Sequence, residues 1–156
     1  MTMRTMRRKD RELAPEAAME LLARGEYGLL STADLDGQPY GIPVSYVYRH
    51  PAIYIHSAPE GHKLDNLHAN PKVSFCVVGR TRVLPERFST AYESVIAFGA
   101  AGEVTGAERE AALVWLLEKY SPQQITAGQD YIARKGHLAK VIKVEITALS
   151  GKARRD

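Results

Sequence analysis

Residues 52–67 read AIYIHSAPEGHKLDNL, and this stretch decides how the chain is to be folded. Ala52 to Ser57 alternates as a strand does, with Ile53 and Ile55 on one face and Tyr54 and His56 on the other. Ser-Ala-Pro-Glu-Gly then turns the chain, and a helix opens on His62-Lys63, with Leu64, Leu67 and His68 at helical spacing. A helix N-terminus carries unpaired N–H groups and a partial positive charge, so this one is shaped for an anion. Gly61 lets the backbone approach a ligand, Lys63 offers a point charge to a phosphate, and Ser57 brings a hydroxyl to the strand end. Taken alone, the same residues also describe a turn glycine beside a solvated lysine. His56 by itself is likewise compatible with a hydrogen-bonded structural histidine.

Working outward, "APEAAMELLARGEYG" predicts a helix with Pro15 in its first turn, Ala18, Leu21 and Leu22 on one face, and Gly25 as its stop. "YGLLSTA" and "PYGIPVSYVY" flank Asp36-Gly37 and predict a hairpin, with Tyr40, Ile42, Val44, Tyr46 and Tyr48 on one parity of its second strand. Pro43 within that strand removes a ladder donor, which confines it to an edge, a bulge or a place approached by something other than a strand. "KVSFCVVG" predicts a buried fourth strand containing Cys76, and "RTRVLPERFSTAYE" a polar loop before the fifth, "SVIAFGAAGEV". Thr105 with Glu108 reads as a capping box opening a helix lined by Leu113, Leu116, Leu117 and Tyr120. "QDYIARKG" adds a short helical piece, and "HLAKVIKVEITAL" closes as the sixth strand.

Six hairpin-like strands with helices inserted, rather than a steady βαβ alternation, predict a mainly β fold: a six-stranded antiparallel barrel with helices outside. At 156 residues the chain is expected to form one domain over 1–156, with 1–10 and the final "KARRD" as basic, solvated tails. A formal charge of +3 is too small to argue for nucleic acid. No apolar run follows the basic start and no stretch of 18 apolar residues exists, so neither export nor membrane spanning is expected. With one cysteine a reducing, cytoplasmic setting is expected.

A metal site built on His56, His62 and His68 fails on geometry, because six residues on a helix turn roughly 600° and leave two of the three about 120° apart. The sequence holds no Gly-x-Ser-x-Gly elbow, Walker loop or glycine fingerprint opening a βαβ unit. Tyrosines 46, 48, 54 and 92 could stack on a planar ring or fill core and interface.

Taken in order, "YGIPVSYVY", "IYIHSAPEGHKLDNLHANPKVSF", "VLPERFSTAYESVIAFGAAGEV" and "VIKVEITALSGKA" resemble the pyridoxamine 5′-phosphate oxidase-like split-barrel flavoproteins, and among them the nitroimidazole-resistance (Nim-like) branch, over about residues 7–152. The resemblance implies a Greek-key split barrel that dimerises and binds FMN in two clefts between its subunits. It implies that His62 and Lys63 hold the flavin phosphate, helped by His56, Ser57 and Gly61. The backbone of Pro43, Val44, Ser45 and Tyr46 would lie along the isoalloxazine ring, with Tyr92 and Ser94 reaching the flavin across the dimer. His56 is then the candidate catalytic residue for reduction of a small electrophile such as a nitroaromatic, with a nicotinamide nucleotide as a possible electron donor. A flavin-binding dimer without turnover, or a split barrel taking haem or a deazaflavin, are the alternatives. The C-terminal "SGKARRD" departs from the basic pattern of true pyridoxamine phosphate oxidases, so oxidation of vitamin B6 is not expected.

Overall fold

The computed structural model describes residues 4–155. Its framework is one antiparallel sheet of seven strands in the order β2-β1-β5-β6-β7-β4-β3. These are β1 (Gly28–Ala33), β2 (Pro39–Val44), β3 (Val47–Arg49), β4 (Ala52–Ser57), β5 (Lys72–Leu84), β6 (Ser89–Val104) and β7 (Lys140–Arg154). Four helices accompany them: α1 (Pro15–Arg24), α2 (His62–Ala69), α3 (Gly106–Tyr120) and α4 (Ile125–Lys135).

The count of six strands needs correction. The expected second strand is cut at Ser45-Tyr46, giving β2, which pairs with β1, and β3, which pairs with β4. The reason lies in Tyr46, whose backbone bonds to helix α3 instead of to a neighbouring strand. The cut also explains the barrel. β2 and β3 are the two opposite edges of the sheet, yet only two residues join them, a link of about 10 Å at most. Such edges can meet only if the sheet curls round on itself.

Two further expectations give way. The polar loop after Gly79 is instead a long hairpin: β5 runs on to Leu84 and pairs with β6 from Ser89, with a register shift between Val78 and Thr81. Pairing resumes beyond the bulge, but residues 80–83 are all exposed, and a strand without inside-outside alternation has the sequence pattern of a polar loop. The basic C-terminal stretch is likewise not free, since Gly151 to Arg154 continue β7 against β6. The N-terminal segment is pinned there too: Glu12 bridges Lys152, and the Leu13 N–H donates to the Gly151 carbonyl at 2.9 Å.

The core follows from alternation. Leu30, Phe75, Val77, Val95, Ala97 and Val144 point inward and are buried with Leu21 and Leu22 of α1. A smaller cluster joins Tyr54 and Val141 to Ala112, Leu113 and Leu116 of α3. Opposite parity leaves an outward face on β1, β5 and β6 where Leu29, Cys76 and Ile96 stand abreast, with Val78 and Phe98 beside them. Cys76 is therefore half-buried on that face rather than in the core. Leu29 is 42%, Val78 61% and Ile96 38% exposed, so an apolar strip of the sheet is open to solvent. No described helix is long and apolar enough to cross a membrane.

Candidate functional site

Strand β4 delivers the chain to α2 as its pattern requires. Tyr54 is covered by α3, where it stacks edge-on to Trp115 at 5.3 Å and its hydroxyl donates to Glu108 at 2.7 Å. His56, two residues on and on the same parity, lies past the end of that cover and is exposed. After the turn, Gly61 takes φ +134°, a conformation that side chains disfavour, and its carbonyl accepts from the Asp65 N–H at 3.1 Å to start α2. No side chain caps this helix, and the N–H groups of His62, Lys63 and Leu64 find no acceptor among the described residues.

The helix is tied down from its other side. Buried Asn66 donates from Nδ2 to Thr32 Oγ1 at 3.0 Å, and that hydroxyl donates to the Tyr40 carbonyl at 3.3 Å. The His62 ring stacks on Tyr40, with centroids 4.0 Å apart. Neither Asn66 nor Tyr40 was named as a site residue from the sequence: Asn66 lies about 100° round the helix from Leu67, off the apolar face, and its burial comes from packing.

The cation at the helix mouth is Lys63, in a first turn that also carries Asp65. Partial burial pulls the Lys63 ammonium below its usual range, and burial together with the Lys63 charge lowers the His56 imidazole. Lys63 has no ion-pair partner among the described residues. Free N–H groups, a desolvated cation without its anion, and a Gly61 around which no atom lies within 4 Å of an added Cβ are what a phosphate would meet. The donor set fits the phosphate of a flavin mononucleotide.

The other candidates divide. Pro43 sits on edge strand β2, opposite Leu29, and is exposed, as is Ser45; Val44 is half-buried. Tyr46 differs from them: it is fully buried, its ring meets Phe75 edge-on at 4.8 Å, and its hydroxyl donates to the Leu22 carbonyl. Its N–H donates to Tyr120 Oη at 2.9 Å and its carbonyl accepts from Lys119, so neither its backbone nor its side chain is left to line a ring. Ser57 is buried and its hydroxyl hydrogen goes to the Ala58 carbonyl at 3.0 Å, away from the helix mouth.

Tyr92 and Ser94 lie far from α2 in the same chain. His56 pairs with Val141, and Val141 with Val104, whereas Tyr92 pairs with Arg154 at the far end of the same two strands. From Tyr92 to Val104 is about 40 Å of strand at ~3.4 Å per residue. Among the described residues no three His, Cys, Asp or Glu side chains cluster as metal ligands would.

The family described as pyridoxamine 5′-phosphate oxidase matches residues 14–153. This chain belongs to that family. Solved members of the fold superpose on it closely. A crystal structure of a candidate 5-nitroimidazole antibiotic resistance protein from Bacteroides thetaiotaomicron aligns with a TM-score of 0.78 at 23% identity, covering 91% of this chain and 86% of that one. An FAD-binding protein from Mesorhizobium loti aligns at 0.69 and 24% identity over 93% and 98%. The flavocytochrome Anf3 from Azotobacter vinelandii aligns at 0.80 and 16% identity over 97% and 73%. At these identities the likeness speaks for the fold. A comparison with curated protein sequences finds no match.

Proposed function

We propose that this family member is an FMN-dependent oxidoreductase, working as a homodimer, that reduces small electrophiles of the nitroaromatic kind. The observation that carries this reading is the mouth of α2, where free N–H groups, Lys63 and His62 meet without an anion from the chain itself. His62 and Lys63 would hold the FMN phosphate and Gly61 would let it approach, while exposed Pro43, Val44 and Ser45 on the edge strand would flank the ring. Bound FMN supplies hydride or single-electron chemistry, which no side chain of this protein can.

His56 borders the mouth without being needed to anchor it. Its lowered pKa favours the neutral imidazole, a state able to orient a substrate through one ring nitrogen and donate from the other. A second copy is favoured by the open strip of Leu29, Val78 and Ile96, and by the strand length that keeps Tyr92 and Ser94 away from α2 of their own chain. A nicotinamide nucleotide is the natural class of electron donor. The test is anaerobic reduction of the FMN-loaded protein by such a donor, followed by a nitroaromatic. Bleaching and acceptor-dependent recovery of the flavin absorption support the reading; tight FMN binding without turnover would reduce it to a flavin-binding module.

A further inference from the structure

A second region gathers cations for which the α2 site has no use. Where the base of the β5–β6 hairpin, the end of β7 and the N-terminal segment come together, the surface sinks into a hollow of about 870 Å³. Its lining includes Arg80, Arg82, Arg154 and Arg155 against a single carboxylate, Glu93. That carboxylate is already engaged, accepting from Arg24 at 2.8 Å and from the Arg80 N–H at 3.0 Å. Arg80, Arg154 and Arg155 have no carboxylate partner among the described residues.

The cationic field extends beyond the lining. Tyr92, on the wall of the hollow, has Lys152 5.9 Å from its ring centroid. Burial would raise its phenol, but hydrogen bonds from Arg11 and Lys152 outweigh that and bring it below its usual value. A neighbouring hollow of about 460 Å³ shares Leu13, Ala153, Arg154 and Arg155, and there Arg8 and Asp10 neutralise each other at 2.5 Å.

We infer that this arginine-lined hollow is a binding site for a diphosphate group carried by a small molecule. Guanidinium forks grip phosphate oxygens in pairs, and several around one hollow suit more than one phosphate. The volume is that of a small-ligand pocket, and a chain of formal charge +3 lacks the broad basic surface a nucleic acid requires. The site is separate from the mouth of α2 in its own chain; in the proposed dimer Tyr92 on its wall would lie beside the partner subunit's flavin, so the test is made without flavin.

The test is calorimetric titration of the full chain, without flavin, with inorganic pyrophosphate, orthophosphate and ADP in low salt. Saturable pyrophosphate binding, tighter than that of orthophosphate and weakened about tenfold or more in Arg80→Ala/Arg154→Ala, is expected. It should be kept in Lys63→Ala. ADP binding more tightly than pyrophosphate identifies a nucleotide as the source of the diphosphate, while equal affinity identifies the bare anion. The double variant must melt within a few degrees of the parent; if it does not, Arg80→Lys/Arg154→Lys, which keeps charge but loses the forks, takes its place with the same expected weakening. Absence of saturable pyrophosphate binding, or equal binding by parent and variant, would overturn the inference and leave the FMN reading untouched.

Discussion

Lys119 Nζ donates to the carbonyl of Tyr46 at 2.8 Å and lies 3.8 Å from the centroid of the same residue's ring. One side chain from the end of α3 thus holds both backbone and side chain of the residue at which the barrel edge passes from β2 to β3. Tyr120 completes the clamp: its oxygen accepts the Tyr46 N–H at 2.9 Å and donates its own hydrogen to the Glu26 carbonyl at 2.5 Å. The stretch from Pro43 to Ser45 is therefore anchored at its C-terminal side by a helix.

The clamp is sensitive to pH. Burial holds Lys119 down to about 8, against 10.5 when exposed. Between those values the unfolded chain binds the extra proton, so stability gained from this group rises with pH from about 8 to about 10.5. The urea midpoint of the parent minus that of Lys119→Met should rise with pH across this window. A flat difference would mean that the ammonium is solvated.

Tyr46→Phe removes the hydroxyl that donates to the Leu22 carbonyl and leaves the ring in place. A loss of about 0.5–1.5 kcal/mol is expected by denaturant unfolding, the range for one hydrogen bond. At Gly25 an added Cβ would come within 2.5 Å of both Tyr46 Oη and Val77 Cγ1. Gly25→Ala should cost about 1–3 kcal/mol through overpacking at the same place.

Gly61 separates backbone from space. A Cβ there meets nothing within 4 Å, yet φ is +134°. Gly61→Ala is thus expected to cost about 1–3 kcal/mol of backbone strain or to re-aim the helix mouth. Strain alone lowers the denaturant midpoint, whereas a re-aimed mouth weakens FMN binding, which fluorescence titration reads directly.

The apolar strip gives a test of assembly. Ile96→Arg places a charge between Cys76 and Ser150, which flank it on the neighbouring strands, with Leu29 one strand further on beyond Cys76. Light scattering should show the parent at twice its 17.3 kDa chain mass and the variant at one chain mass with its circular dichroism retained. A variant that stays dimeric would place the interface elsewhere.

The elements most legible in the sequence were those fixed by local chemistry. Pro15 and Gly25 bound α1, Gly37 takes the positive φ of +83° that the Asp36-Gly37 turn demands, and α2 opens at His62. What stayed hidden was decided by partners distant in sequence. The capping box at Thr105 is not formed, since no side chain caps α3 and Glu108 is drawn instead to the Tyr54 hydroxyl at 2.7 Å and to Lys143 at 2.8 Å. The break at Ser45-Tyr46 depends on residues more than 70 positions away, and periodicity cannot carry such information. In the site, the helix start after Gly61 was readable from local pattern, whereas an anion-binding role for Gly-His-Lys was chosen only with the family resemblance. That Ser57 turns inward and Tyr46 is committed to the core required the packing.

Titration of the purified chain with FMN, followed by absorption after removal of excess ligand, tests the central claim most directly. About one retained flavin per chain is predicted, with affinity falling about 5- to 150-fold in Lys63→Ala, which corresponds to the 1–3 kcal/mol of a charge-assisted phosphate contact. A chain that retains no FMN, or one whose affinity is indifferent to Lys63, would contradict the account of the α2 mouth.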